Sequence, residues 1–290
     1  MSSDVNPEWK LVAIGRGSFA TVSILQGRPV AFKHVLYSQR TPELQAEFEA
    51  LCAIYDFCNA DSFFLIPRPL AYYDPSISTS FTSPEATPPR RAARVRRPLV
   101  TEGDFAALKL GNAAYAMDQV LPLPLKTAEV IRSLFYPPTA REAPAPTLCR
   151  LYFGKVIEST KGPIAFFNSA NFPLDLARYN QVLAAVPDAG LRTPEEISHG
   201  MGEILGCLHW NVGYDGRDIE FVLGGASFSG VESYIIDFNQ VSPKRFVCRL
   251  RSTLITFQDA CLEQESRRDS ATCRLFFHKR SLLSSTSCQQ

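Results

Sequence analysis

The chain carries only four histidines, and none of its eight cysteines forms a C-x-x-C pair. The histidines do not supply H-x-x-x-H either, so the spacing of a structural zinc site is missing. The polar start MSSDVNPEWK has no signal-peptide core, and without an export signal the cysteines argue against a disulfide framework. No apolar run is long enough to span a bilayer. The net charge is +1, so bulk charge selects no partner. No internal repeat is visible. What is present is 46% hydrophobic residues in 290, enough to bury a core in one bilobal domain or two small lobes. These features predict a soluble, cytoplasmic protein with free thiols, no membrane partner and no zinc.

The first segment carries a glycine pattern. Residues 9–25, WKLVAIGRGSFATVSIL, read as two apolar strands around Gly15-x-Gly17-x-x-Ala20, with Val22 in the second strand. Protein kinases place G-x-G-x-x-G-x-V there, because a hairpin of small residues lets backbone N–H groups cover phosphates. Ala20 replaces the third glycine. Val30-Ala31-Phe32-Lys33 then matches the V-A-I-K strand at the expected distance. Thr41-Pro42 opens a helix, with Thr41 as N-cap and proline at the first position. Leu44, Phe48, Leu51 and Tyr55 form its apolar stripe. Glu47 lies beside the stripe and faces inward to pair with Lys33; Glu49 points away and is the second choice.

Two segments interrupt the folded pattern. Residues 74–98, between strands predicted at 64–73 and 114–120, form a Ser/Thr/Pro-rich insertion ending in Arg90, Arg91, Arg94, Arg96 and Arg97. The arginines read as a solvated charge cluster, a nuclear-import signal or an arm that tracks a nucleic-acid backbone. No aromatic residue lies among them, so this segment cannot stack bases. The proline-rich residues 137–147 read as an extended link between lobes.

Beyond the link, residues 150–159 read as a strand pair, and Asn171-Phe172-Pro173-Leu174 leads into a helix through Asp175. Thr193-Pro194-Glu195-Glu196 starts a helix that runs to His209. An acidic loop follows with Asp215, Arg217, Asp218 and Glu220. Phe221-Val222-Leu223 and Tyr234-Ile235-Ile236 then pair as strands and present Asp237. Carboxylates gathered at one point repel and need a cation to stay ionised together. In a phosphotransferase it is Mg²⁺, with Asp237 as ligand, Glu220 as second ligand and Asp215 or Asp218 as base. The alternative cation is a substrate guanidinium or ammonium, for which paired carboxylates are bidentate acceptors. A third possibility is that Arg217 neutralises its neighbours in a structural loop. His209 fits a core or capping role better than a catalytic one. Glu220 stands where a kinase has a metal-binding Asn, and Asn239 where it has Gly.

Arg150-Leu151-Tyr152-Phe153-Gly154-Lys155, Asn171-Phe172-Pro173-Leu174, Leu208-His209-Trp210, Asp218-Ile219-Glu220-Phe221-Val222-Leu223-Gly224 and Asp237-Phe238-Asn239-Gln240 together resemble one family. It is a fungal kinase-like family catalogued as a domain of unknown function and often mislabelled a zinc-finger protein. It includes arginine-containing cyclodipeptide synthases. The resemblance spans about residues 9–241. It implies an α+β, protein-kinase-like bilobal fold, with a small β-rich N-lobe over residues 1–125 and a mainly helical C-lobe over 126–256. Residues 257–290 depart from it as a divergent, partly loose tail.

The activity implied is aminoacyl-tRNA-dependent. Arginine from arginyl-tRNA is joined to a second amino acid, from another aminoacyl-tRNA or free, as a diketopiperazine. No ATP, metal or other cofactor is required. Asp218, Glu220, Asp237 and Asp215 are the candidate catalytic residues. Asn239, Arg217, His209, Lys33 and Glu47 are the candidate substrate-binding residues, with Lys33 and Glu47 also readable as a surviving structural ion pair. Arg90, Arg91, Arg94, Arg96 and Arg97 would meet the tRNA. Ser227 and Ser229 lie near the site in sequence, with nothing visible to activate them. The alternatives are an ATP- and Mg-dependent small-molecule or protein phosphotransferase, and a catalytically silent pseudokinase.

Overall fold

The computed structural model describes residues 10–60, 62–77, 81–84, 99–109, 111–157, 170–226, 230–238 and 242–243. The chain is an α+β protein. Its first half builds a six-stranded sheet from β1 (Leu11–Arg16), β2 (Ala20–Leu25), β3 (Val30–Val35), β4 (Pro69–Tyr73), β5 (Phe81–Thr82) and β6 (Ala114–Asp118). The order is β1-β2-β3-β6-β4-β5 and every pairing is antiparallel. The predicted hairpin is β1–β2, whose register shifts between Ala13 and Gly15. A bulge of this kind bends the strand. β5 lies inside the expected insertion and extends the sheet edge. The strand predicted at 64–73 is shorter: it begins at Pro69, and before it Leu65 makes an isolated bridge to Tyr234.

Helix α1 (Thr41–Cys58) crosses behind this sheet. Thr41 is its first residue rather than its cap, because a 3-10 turn over Ser38–Arg40 runs straight into it. Leu44, Phe48 and Leu51 are buried as predicted, and Ile54 joins them. A six-residue helix, α2 (Glu102–Ala107), closes the outer side of the sheet with Phe105 against Phe32, ring edge to face at 5.4 Å.

The second half combines helices with a second sheet. β7 (Leu148–Leu151), β8 (Asn171–Leu174), β10 (Glu220–Gly225) and β11 (Val231–Ile236) form a four-stranded sheet in the order β11-β10-β7-β8. β7 pairs with β8 in parallel and with β10 antiparallel, and no local strand pair forms over the described residues 150–157. Beside it pack α3 (Leu125–Phe135), α4 (Leu176–Ala185) and α5 (Pro194–Cys207). Asp175 caps α4 by accepting from Arg178 N–H, and Thr193 with Glu196 closes a capping box on α5. α5 stops two residues before the predicted His209. A π-turn over Leu208–Val212 replaces its last turn and ends at Gly213, in the left-handed region at φ 77°. A two-residue strand pair, β9 (Tyr214–Asp215) with β12 (Ser242–Pro243), follows.

One continuous core joins α1, β6, the second sheet and α5, from Leu44, Ile54 and Tyr115 to Leu174, Ile204 and Ile235. The two sheets touch through the bridges Leu65–Tyr234 and Leu121–Gly225. Cys58 and Cys207 form a disulfide, their Cα atoms 6.1 Å apart, against the expectation of free thiols throughout. The fold lays the ends of α1 and α5 together, a proximity that a separation of 149 residues conceals. Cys149 is a buried free thiol.

Candidate functional site

Lys33 points from the middle of β3 and is 8% exposed. An ammonium so placed needs partners, because desolvating an unpaired charge is prohibitive. It has two. Its Nζ donates to Glu47 Oε1 at 2.6 Å and to Asp237 Oδ1 at 3.1 Å. Burial pulls the ammonium down, but the carboxylates of Glu47 and Asp237 outweigh it and hold Lys33 above its usual value. The predicted pair of Lys33 with Glu47 is therefore present. Glu49 is exposed and bonded by Gln45, as its outward position requires.

Three further contacts hold this pair. Tyr115, fully buried on β6, donates its hydroxyl to Glu47 Oε1 at 3.1 Å. Phe19, in the turn between β1 and β2, lies with its ring centroid 5.3 Å from Lys33 Nζ. Asp237 itself adopts φ 64°, in the left-handed region. A non-glycine residue holds that conformation only where its surroundings over-determine it. Here Lys33 holds the side chain, and the next residue, Phe238, is buried at 3%.

Glu220 belongs to the same electrostatic neighbourhood but has its own partners. It opens β10, and the second sheet sets Arg150 of β7 and Asn171 of β8 beside it. Arg150 Nη1 stands 2.5 Å from Glu220 Oε1, and Asn171 Nδ2 donates to Oε2 at 3.1 Å. Burial pushes the Glu220 carboxyl up; Arg150 pulls it down, Asp237 repels it, and the net is a raised value. Arg150 also lies 5.0 Å above the Tyr152 ring. Three carboxylates thus share two cations of the chain.

The acidic loop divides differently from the prediction. Arg217 pairs with Asp215 at 2.9 Å in an exposed contact. Such a pair contributes little to stability. Asp218 is exposed at φ 61° in the turn before Ile219. Neither joins the buried network. His209 is half-buried, and its Nδ1 stands 3.1 Å from the Tyr214 carbonyl. A carbonyl only accepts, so Nδ1 carries the proton and His209 ties the π-turn to β9. Asn239, Ser227, Ser229 and the arginines 90, 91, 94, 96 and 97 lie outside the described residues.

Arg150, Asn171 and Tyr115 escape a reading by spacing. The available signal is an arginine inside the short apolar strand LCRL, since a charge in such a strand implies a partner. Among the described residues no three His, Cys, Asp or Glu side chains are placed to hold a metal ion together. No helix there is long and apolar enough to cross a membrane. No protein-family model matches the chain, and no curated protein matches it.

Proposed function

We propose that the chain is an aminoacyl-tRNA-dependent cyclodipeptide synthase on a protein-kinase-like bilobal scaffold. It joins arginine, delivered as arginyl-tRNA, to a second amino acid as a diketopiperazine. The observation that carries this reading is the unequal commitment of the three carboxylates. Glu47 is 2% exposed and locked by Lys33 and Tyr115, and both oxygens of Glu220 are taken by Arg150 and Asn171. The Asp237 side chain is 33% exposed and held by Lys33 at one oxygen. It is the carboxylate open to a cationic substrate.

An aminoacyl ester is already activated, so positioning and proton transfer suffice. The α-amine of one aminoacyl group attacks the carbonyl carbon of the other ester. A C–N bond forms, the ester C–O bond breaks, and the tRNA hydroxyl leaves with the proton. The free amine of the new dipeptide, still esterified to its tRNA, then attacks that ester carbonyl: a second C–N bond forms, the ester C–O bond breaks, and the tRNA hydroxyl leaves with the proton as the ring closes. Asp237 holds the guanidinium or accepts the amine proton, and Lys33 keeps it oriented. Asp215 and Asp218 lie on the loop leading to Glu220, where they add negative potential for an arginyl group. The arginines at 90–97 would meet the tRNA backbone.

A second reading, an ATP- and Mg-dependent phosphotransferase, is favoured by Lys33 bridging Glu47 and Asp237. Its magnesium ligands fit poorly, because Glu220 has no oxygen to offer beside Asp237. Incubation with tRNA, a charging system and mixed amino acids tests the first reading by mass spectrometry. The expected product is an arginine-containing cyclic dipeptide, lost on RNase treatment and in Asp237→Asn. Stabilisation by ATP and Mg²⁺ with no such product would favour the second. Folded protein with neither response would be a silent pseudokinase.

A further inference from the structure

The Cys58–Cys207 disulfide joins elements that feed opposite sides of the site. Cys58 ends α1, about three turns beyond Glu47. Cys207 ends α5, and the next residue begins the π-turn that leads through Gly213 to Asp215, Asp218 and Glu220. The two ends are anchored unequally. Leu44, Leu51 and Ile54 of α1 are each 0% exposed and keep the helix seated without the bond. Beyond Cys207, Leu208 is buried, but every residue from His209 to Asp218 is half-exposed or exposed. The only strand pairing described there is two residues long. Segments with few buried contacts open first. The disulfide therefore ties a seated helix to a segment that Val212 and Tyr214 hold to the core while the rest of its residues stay half-exposed or exposed.

Access is unequal as well. Cys58 is 4% exposed, whereas Cys207 is half-buried and its Sγ lies 3.6 Å from Asn211 Nδ2, a donor able to stabilise a thiolate. Of the free thiols, Cys149 is buried and its thiol is pushed far up, which makes it inert.

We propose that Cys58–Cys207 is a redox latch that sets the order of the acidic loop and through it regulates the candidate site. A thiolate of a small dithiol attacks Cys207 Sγ, the S–S bond breaks, and Cys58 leaves and takes a proton. The second thiol of the reductant then displaces Cys207 and closes the reductant's own disulfide. The protein gains two electrons and two protons. Re-formation needs a disulfide oxidant: the Cys207 thiolate attacks it, and Cys58 resolves the mixed disulfide. The regulatory consequence rests on the functional reading above; the latch itself does not.

Hydrogen-exchange mass spectrometry of the full chain, oxidised and dithiol-reduced, tests it. Exchange over residues 208–218 should rise about tenfold on reduction while residues 44–54 stay unchanged. Cys207→Ser, at the more accessible position, should behave as the reduced protein with or without reductant. Equal exchange over 208–218 in both forms would overturn the latch. So would a uniform rise over both segments, the mark of a general staple, or alkylation of both cysteines in the unreduced protein. Cyclic dipeptide formation is followed in parallel. Its absence from both forms would sink the functional reading and leave the latch to be decided by exchange.

Discussion

Lys33 and Asp237 lie 204 positions apart in the chain and meet at 3.1 Å, with Glu47 completing the contact from the other side. Removing the ammonium leaves Glu47 buried without its cation partner. Breaking one side of a buried pair typically costs about 3–5 kcal/mol. Lys33→Met should lose that much in urea unfolding, and Lys33→Met/Glu47→Leu should recover most of it. Stability of Lys33→Met equal to the parent would mean that the pair carries none.

Arg150 sets the charge state of Glu220. A carboxyl whose folded value is raised contributes stability that is fully present below its unfolded value and lost as pH rises through the folded one. Arg150→Met removes the main force pulling Glu220 down, so its value rises further. The variant should lose stability relative to the parent as pH rises above the ordinary carboxylate range. Thermal unfolding followed upward from that range checks this, and Arg150→Met/Glu220→Gln should remove the pH dependence. A flat difference between parent and Arg150→Met would refute the coupling.

Asp175 has the opposite sign. Burial pushes it up, but N–H donors from Arg178 and Ile157 win and hold it below its usual value. Its contribution is present above its unfolded value and lost as pH falls through the folded one. Asp175→Asn keeps an acceptor for the Arg178 N–H but loses the one for Ile157, and should cost about 1 kcal/mol at pH 7. That difference should shrink towards pH 2, as both proteins are followed by circular dichroism.

Gly200 lies in α5, where Ala is ordinarily the better helix former by about 1 kcal/mol. A Cβ there would come within 2.7 Å of Phe63 Cβ and within 2.6 Å of its ring. The contact involves the root of the Phe63 side chain, which cannot swing aside. Overpacking of this kind costs about 1–3 kcal/mol, so Gly200→Ala should lower the melting temperature despite its propensity. Gly200→Ala/Phe63→Ala should relieve the clash while losing Phe63 packing. A raised melting temperature in the single variant would show that Phe63 yields.

Much of this arrangement was legible along the chain, where local periodicity and capping decide it. The stripe on α1 oriented Glu47, the strand VAFK placed Lys33 beside it, and Thr193 with Glu196 marked the start of α5. The paired strands around residues 221–223 and 234–236 emerged as read. Thr41 shows a limit of that logic: Ser38–Arg40 already turn helically, so no extended residue remains for a cap to occupy.

The sequence by itself determined the elements and the inward carboxylate on α1, because helical and strand periods are properties of neighbouring residues. Tertiary structure alone decided which charges meet. Arg150 and Asn171 reach Glu220 because β7 is inserted between β8 and β10, a register no local pattern encodes. Cys58 finds Cys207 only because two distant helix ends pack side by side. Of the three carboxylates in the network Asp237 remains the most exposed, because Glu47 is buried beside Lys33 and Tyr115 and Glu220 is engaged by Arg150 and Asn171. Charge pairing in a buried site is a matter of distance in space, and only the packed fold supplies that distance.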